Sequence, residues 1–536
     1  MAVYHYLLIP GRHHVLTMFQ HDYLRKALTQ PPLGLDGQPV HLADDAALVW
    51  AVTSADQAGT RRNPLPGHRR EAAIERFGAD LPAPSLVYLI DDIATTERFA
   101  DHVIKDIEVQ SRGQHRLTPR NTVVACSTPA VIELYERLGY RILPLELTDR
   151  TTGAGSHARP WDLVTALVAA GRRWRRQPDY LRQVHPASRQ LLEKYHLGEV
   201  IVETHSDPLM SDEGDITETR DYATYRLAFD EGAERKYSLV QDHIVPGRIV
   251  DVGCATGSIL KLMSHDGRLR ESDLYGIEVA RPLHRLCLQR QENGEFGNEN
   301  TFFYQRNIMR SPLFAPGSVQ TTTTFSLTHE IESYIGHAGL LTFIRQIYRQ
   351  TAPGGVFINL DVVGPERGDD MVLLELATDD GAADDGRAFA PDQQAVYTPY
   401  LNGLSTEGRF YRFLRDFRRV EGDGVTATAV ERAGRRYWQL RLADAAEFLA
   451  TKDYTASWFS EMHERFCYWS FSDWSQAVTE AGFTVDPASH AFQNPWIVEH
   501  RWRGKARLWR EVGQKLESVD YPVTNLLLVA RRESMH

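Results

Sequence analysis

The stretch Arg248–Leu262 reads RIVDVGCATGSILKL. A short apolar run of the kind that makes a buried strand ends at Asp251. The chain then passes Gly253 and Gly257 and enters a segment with helical apolar spacing. A strand, a glycine turn and a helix in that order form a ligand loop, because bare backbone and the first helix amides face the ligand. The spacing is GxxxG. A dinucleotide fingerprint needs a middle glycine so that backbone can approach a pyrophosphate, and here Ala255 holds that place. No GK[ST] follows, so a P-loop is excluded.

Glu278 ends the next apolar run, YGIEVA, with Val279 behind it. A carboxylate there can accept both ribose hydroxyls of a nucleoside. A nucleoside without phosphate, held by glycine backbone and an acid, points to S-adenosylmethionine (SAM). Outward from this loop, helix and strand patterns alternate from Tyr222 onward, which implies an α/β, doubly wound parallel sheet. The pattern is interrupted between about residues 364 and 456, read as an inserted substrate-binding subdomain, and resumes at FSDWSQAVTEAGFTV.

These residues carry a resemblance. Residues 222–363, with 468–532 after the insertion, look like a class I SAM-dependent methyltransferase. VDVGCATG resembles that family's first motif, APGGVFI its fifth-strand entry and YPVTNLLLVARR its antiparallel last strand. The resemblance implies SAM contacts from Asp251, Gly253, Cys254, Ala255, Gly257, Glu278, Val279 and Ser326. It also places Asn307 and Ile308, in QRNI, at the adenine; an Asp is commoner there, and Asn307 can still bond an exocyclic amine.

In such a sheet the loop after the fourth strand, FSLTHEIESY, faces the sulfonium. Methyl transfer to a hydroxyl or amine needs a proton removed, and an imidazole titrates near neutrality. His329 is therefore the candidate general base, with Glu330 beside it; the alternative is that His329 caps the following helix or packs beneath the cofactor. In the run SEMHERFCYWSFSDW, His463 and Glu464 are candidates for acceptor contact, and Trp469, Trp496 and His500 either wall the pocket or fill core. His329, Glu330 and His463 could hold a divalent metal, but spacing alone assigns none.

The first 170 residues form a second α/β pattern, with YHYLLIP, ALVWAVTS, SLVYLID, TVVACST and YRILPLEL as strands. LLIPGR, TSADQAGTRRNPLPGHRREAAI and VVACSTPAVIELYERLGYRI resemble the HIGH-type nucleotidyltransferases, especially nicotinamide-nucleotide adenylyltransferases. The family's HxGH falls on Thr17-Met18-Phe19-Gln20, and a neutral Gln20 in place of the second histidine supplies less stabilisation to phosphate charge. His13 and His14 lie off that register. The resemblance implies a nucleotide pocket framed by Gly11, Arg12, Thr17, Gln20 and Ser127, closed by Ser156 and Arg159 of GSHAR. It also implies a nucleoside triphosphate with Mg if the unit is an active transferase rather than a nucleotide-binding remnant. Residues 171–221 read as a helical linker whose GRRWRR run is a solvated helix end.

Composition bounds the rest. The chain has 536 residues and a net charge of −11, which argues against a nucleic-acid partner. Four scattered cysteines suggest neither a zinc ribbon nor a disulfide framework. No signal sequence or 18-residue apolar run is present, so a cytoplasmic protein with no membrane contact is expected. The expected activity is methylation of a small-molecule, nucleotide-linked acceptor. The alternatives are an RNA-modifying methyltransferase, a bifunctional biosynthetic enzyme, or a pair of sensor domains.

Overall fold

A computed structural model of the chain describes residues 3–93, 96–149, 154–155, 157–207, 222–309 and 313–534. Two compact units result, Met1–Gly214 and Asp215–His536. In the first, β1 (Val3–Gly11), β2 (His41–Val52), β3 (Ser85–Leu89), β4 (Thr122–Ala125) and β5 (Arg141–Leu143) form a parallel sheet in the order β3-β2-β1-β4-β5. Leu7, Leu8, Val49, Trp50, Val123 and Val124 are buried in it, as the unbroken apolar runs require of a sheet covered on both faces. The chain direction along the sheet reverses between β1 and β4, which opens a crevice at their carboxyl ends. Two short strands, β6 (Leu147–Asp149) and β7 (Ala154–Gly155), pair antiparallel nearby.

Residues 171–207 differ from the expected linker. They belong to this unit, where Trp174, Tyr180, Val184, Leu192 and Ile201 form a core with Val15, Leu65 and Leu163. The GRRWRR run is a short helical turn with exposed arginines above the buried Trp174, so its charges are solvated as expected. The remainder of the expected linker, residues 208–221, lies outside the described residues.

The second unit contains β8 (Arg248–Val252), β9 (Asp273–Glu278), β10 (Thr301–Gln305), β11 (Val319–Phe325), β12 (Thr351–Val362), β13 (Met371–Leu376), β14 (Thr428–Arg432) and β15 (Arg435–Arg441). It continues with β16 (Thr484–Val485), β17 (His490–Phe492), β18 (Ala506–Val512), β19 (Lys515–Val519) and β20 (Asn525–Arg531). The main sheet runs β10-β9-β8-β11-β12-β20-β16, parallel from β10 to β12, with β20 antiparallel to β12. This is the doubly wound order expected, including the reversed last strand. Its centre is unusually polar. Thr321 to Thr324 of β11 are buried, and two of their hydroxyls find partners across strands: Thr323 donates to Asp251 at 2.9 Å and Thr324 to Asn359 at 2.9 Å. The helix His337–Gln350 covers one face through Leu340, Phe343, Ile344 and Ile347, a single apolar stripe.

The insertion is larger than the stretch 364–456. It is an antiparallel sheet ordered β14-β15-β13-β18-β19, and β18 and β19 come from after β17, late in the chain. The two segments share a core in which Leu374, Phe410, Trp438 and Phe448 meet Trp502, Ala506 and Leu508.

Candidate active site

At the carboxyl end of β8, Asp251 is buried and burial pushes its carboxyl up to about 7. The glycine loop follows. Gly253 has φ +70°, and a Cβ there would stand 2.9 Å from Leu327, so the loop passes close beneath the turn after β11. Gly257 has φ +74° and opens the helix Ser258–His265. Between them Ala255 is held left-handed at φ +48°, a conformation that costs a residue with a Cβ about 1–2 kcal/mol. Its amide donates to Glu278 Oε2 at 2.9 Å.

Glu278 is the clamp of this loop. Its other oxygen accepts the amides of Val279 and Ala280, each at 2.8 Å. Burial nevertheless pushes its carboxyl up to about 7, against the pull of those amides. Two carboxylate oxygens offer about four lone-pair directions, so acceptor capacity remains for a ribose hydroxyl. Asn307 turns its Oδ1 to the Met309 amide at 2.9 Å, and Ile308 is buried beside it. Ser326, at φ +52°, accepts from the Lys236 ammonium at 3.1 Å. Burial pulls Lys236 down to about 8, even though the charges of Asp361 and Asp251 act to raise it.

His329 lies in the first turn of the helix Thr328–Ile335. Its Nδ1 is 2.7 Å from Asp361 Oδ1, at the end of β12, and its Nε2 is 3.5 Å from Glu464 Oε2. Burial alone would pull the imidazole down; the charges and hydrogen bonds of Asp361 and Glu464 outweigh it and hold the ring well above its usual value. Asp361 also accepts from the Thr328 hydroxyl at 2.7 Å, and its carboxyl is held below the usual range despite burial. Glu464 accepts from Tyr334 at 3.1 Å, and Tyr468 meets the Thr328 hydroxyl at 3.1 Å.

His463 is not part of this group. It is partly exposed, and its Nδ1 pairs with Glu421 at 2.8 Å. Trp469 fills core and donates to His337, while Trp496 and His500 stack on each other at 4.9 Å with Trp496 half exposed. A cavity of about 260 Å³ does border Tyr468, on the insertion side, walled by Asp444, Glu447, Arg441, Arg465 and Cys467. Burial pushes Glu447 up to about 7.

In the first unit, Gly11, Arg12, Gln20, Ser127 and Arg159 line one cavity of about 250 Å³ at the β1/β4 crevice. Thr17 sits just outside it as a helix cap, its hydroxyl accepting the Gln20 amide at 3.0 Å. Ser156 lies outside the described residues. Ser127 donates to Glu146, a buried acid on the cavity wall. His13 and His14 also line the cavity; burial pulls His13 down to about 4 and His14 well below its usual value. Neutral rings of this kind offer hydrogen bonds and no charge to a phosphate.

No protein-family model and no curated protein sequence matches the chain. Solved structures do resemble it. A SAM-dependent methyltransferase from Mesorhizobium loti is 13% identical, with 56% of this chain and 100% of that one covered at a TM-score of 0.30. One from Methanosarcina mazei is 12% identical over 56% and 99%, at 0.29. Geranyl diphosphate C-methyltransferase from Streptomyces coelicolor, solved with Mg2+, geranyl diphosphate and S-adenosyl-L-homocysteine, is 10% identical over 61% and 88%, at 0.29. The strand order and register themselves define the fold.

Three residues at the site went unread in the sequence: Lys236, Asp361 and Tyr334. Asp361 carried the one available signal, since it ends the run VFINLD at a strand's carboxyl end.

Proposed function

We propose that the C-terminal unit is a SAM-dependent methyltransferase acting on a small-molecule acceptor. One observation carries the reading: the glycine loop, Glu278 and the His329 group meet at the carboxyl ends of adjacent strands, where such sheets gather ligands. Charge supports it. Asp251, Glu278, Glu330, Asp361 and Glu464 interact across this region and outnumber Lys236 and His329, which suits a sulfonium and disfavours a pyrophosphate. SAM, when bound, supplies a methyl whose bond to sulfur breaks with the electron pair left on sulfur. Glu278 takes one ribose hydroxyl on Oε2, and Asn307 lies toward the adenine. The acceptor's proton passes to the carboxylates of Glu330 and Glu464 as its lone pair forms the new bond to carbon, with the protonated His329 ring held between Asp361 and Glu464. Asp361 is a positioning residue that holds the imidazole by Nδ1.

A pH dependence follows. Asp251 and Glu278 both sit near 7, and the ribose contact needs Glu278 ionised. Affinity for S-adenosylhomocysteine (SAH) is thus present above about pH 7 and lost as pH falls through it. The expected loss between pH 8 and pH 6 is about tenfold, the change in ionised fraction of one such group. Calorimetry at the two pH values checks this, and a flat profile would remove the titrating carboxylate from the site.

A second reading concerns the N-terminal unit, and the shared cavity favours it. Arg12 and Arg159 both line it and suit phosphate, which Arg binds in bidentate fashion. We propose that this cavity holds a nucleotide or a nucleotide-linked molecule. Losing one charge-assisted bond costs about 1.5–3 kcal/mol. Arg159→Ala in the full chain should therefore weaken binding of labelled ATP or CTP by about 10–150-fold in a filter assay. Equal retention by wild type and variant would move the nucleotide elsewhere.

A further inference from the structure

The turn after β11 gathers more ligand-type atoms than a proton relay needs. One ring nitrogen of His329 and one carboxylate oxygen each from Glu330 and Glu464 lie within 4.8 Å of one another, and Nε2 stands 3.5 Å from Glu464 Oε2. Donors about 2.0–2.2 Å from a common centre stand roughly 3–4.4 Å apart, so small side-chain rotations would bring these three onto one ion. Their outer partners are already in place. A metal-bound imidazole has its other ring nitrogen held by an acceptor, and Asp361 Oδ1 stands 2.7 Å from Nδ1. A ligating carboxylate is itself hydrogen-bonded, and Tyr334 donates to Glu464 Oε1, which leaves Oε2 turned toward His329. His329 and Glu464 are 6% and 1% exposed, while Glu330 is only half buried, so one side stays open, as in catalytic metal sites. The trio differs from the one the sequence suggested by a single residue, Glu464 for His463.

We infer that His329, Glu330 and Glu464 bind one divalent cation of the class taken by mixed nitrogen and oxygen donors, such as Mn2+ or Zn2+. Its chemical role rests on the methyltransferase reading; its binding does not. An acceptor oxygen on the open position would lose its proton to solvent more readily, and its freed lone pair would form the bond to the methyl carbon while the carbon–sulfur bond breaks toward sulfur.

The test uses the full chain, stripped with a chelator and titrated with Mn2+, with free Mn2+ read by electron paramagnetic resonance and heats by calorimetry. One site per chain is expected. Glu330→Gln and Glu464→Gln should each raise its Kd about tenfold or more, and Asp361→Asn by about 10–100-fold. Thermal unfolding and SAH binding of each variant show that it is folded. Failure of wild type to bind Mn2+ or Zn2+ more tightly than millimolar would overturn the inference, as would affinity unchanged in both glutamine variants. SAH binding without metal binding sinks the cation site alone. Metal binding that these variants weaken, without SAH binding, leaves the cation site standing and removes the methyltransferase reading.

Discussion

Replacing His329 by alanine is expected to lower the rate of methyl transfer about 10²–10⁴-fold, because the ring joins Asp361 to Glu464 in the cluster that draws the proton from the acceptor. The expectation comes from its place. His329 is fixed by Asp361 on one side and faces Glu464 on the other, within the first turn after β11. The alanine variant also leaves Asp361 buried without its partner, which costs about 3–5 kcal/mol of stability. His329→Asn separates the two effects, since its amide can still donate to Asp361 but has no counterpart to Nε2. Both variants should show the same loss of turnover in single-turnover assays, with SAH affinity kept within a few-fold. Near-full turnover in the asparagine variant would mean that positioning of the acceptor alone carries the catalysis.

Glu278→Ala should weaken SAH binding by about 10–150-fold, the equivalent of the roughly 1.5–3 kcal/mol lost with a charged acceptor. A second consequence separates this residue from an ordinary contact. Its carboxylate holds the amides of Ala255, Val279 and Ala280, and so stabilises the left-handed backbone at Ala255. The variant is therefore expected to lower Tm as well. Calorimetry and thermal unfolding on the same samples read both effects. Unchanged SAH affinity with a lowered Tm would make Glu278 a structural clamp and take it out of the ligand site.

The grouping of the glycine loop with Glu278 was legible because its parts are local. Asp251, Gly253 and Gly257 fall within one strand–turn–helix, and Glu278 ends the neighbouring strand, so parallel pairing alone brings them together. The first unit's cavity was legible for the same reason: Gly11 ends β1 and Ser127 follows β4, adjacent strands in register. The pairing of His329 with Glu464 was not. Glu464 reaches His329 from the far end of the insertion, and nothing in local periodicity reports such a contact. His463 was as good a candidate in the sequence, yet it lies in the turn that follows the helix Trp458–Glu461 and pairs with Glu421 instead, while the next residue, Glu464, reaches His329. Lys236 lies in a helix with no motif around it and becomes notable only through burial beside Asp251 and Asp361. The full extent of the insertion was hidden because ARLWREV, β18, reads as a strand without saying which sheet it joins.

SAM is expected to lie on the GxxxG loop with its sulfonium toward His329. A crystal structure of the full chain with SAH tests it most directly. A ribose hydroxyl within hydrogen-bond reach of Glu278, adenine beside Asn307 and Ile308, and the sulfur facing the turn that carries His329 and Glu330 are expected. SAH found elsewhere on the chain, or on this loop with its sulfur turned away from that turn, would contradict it.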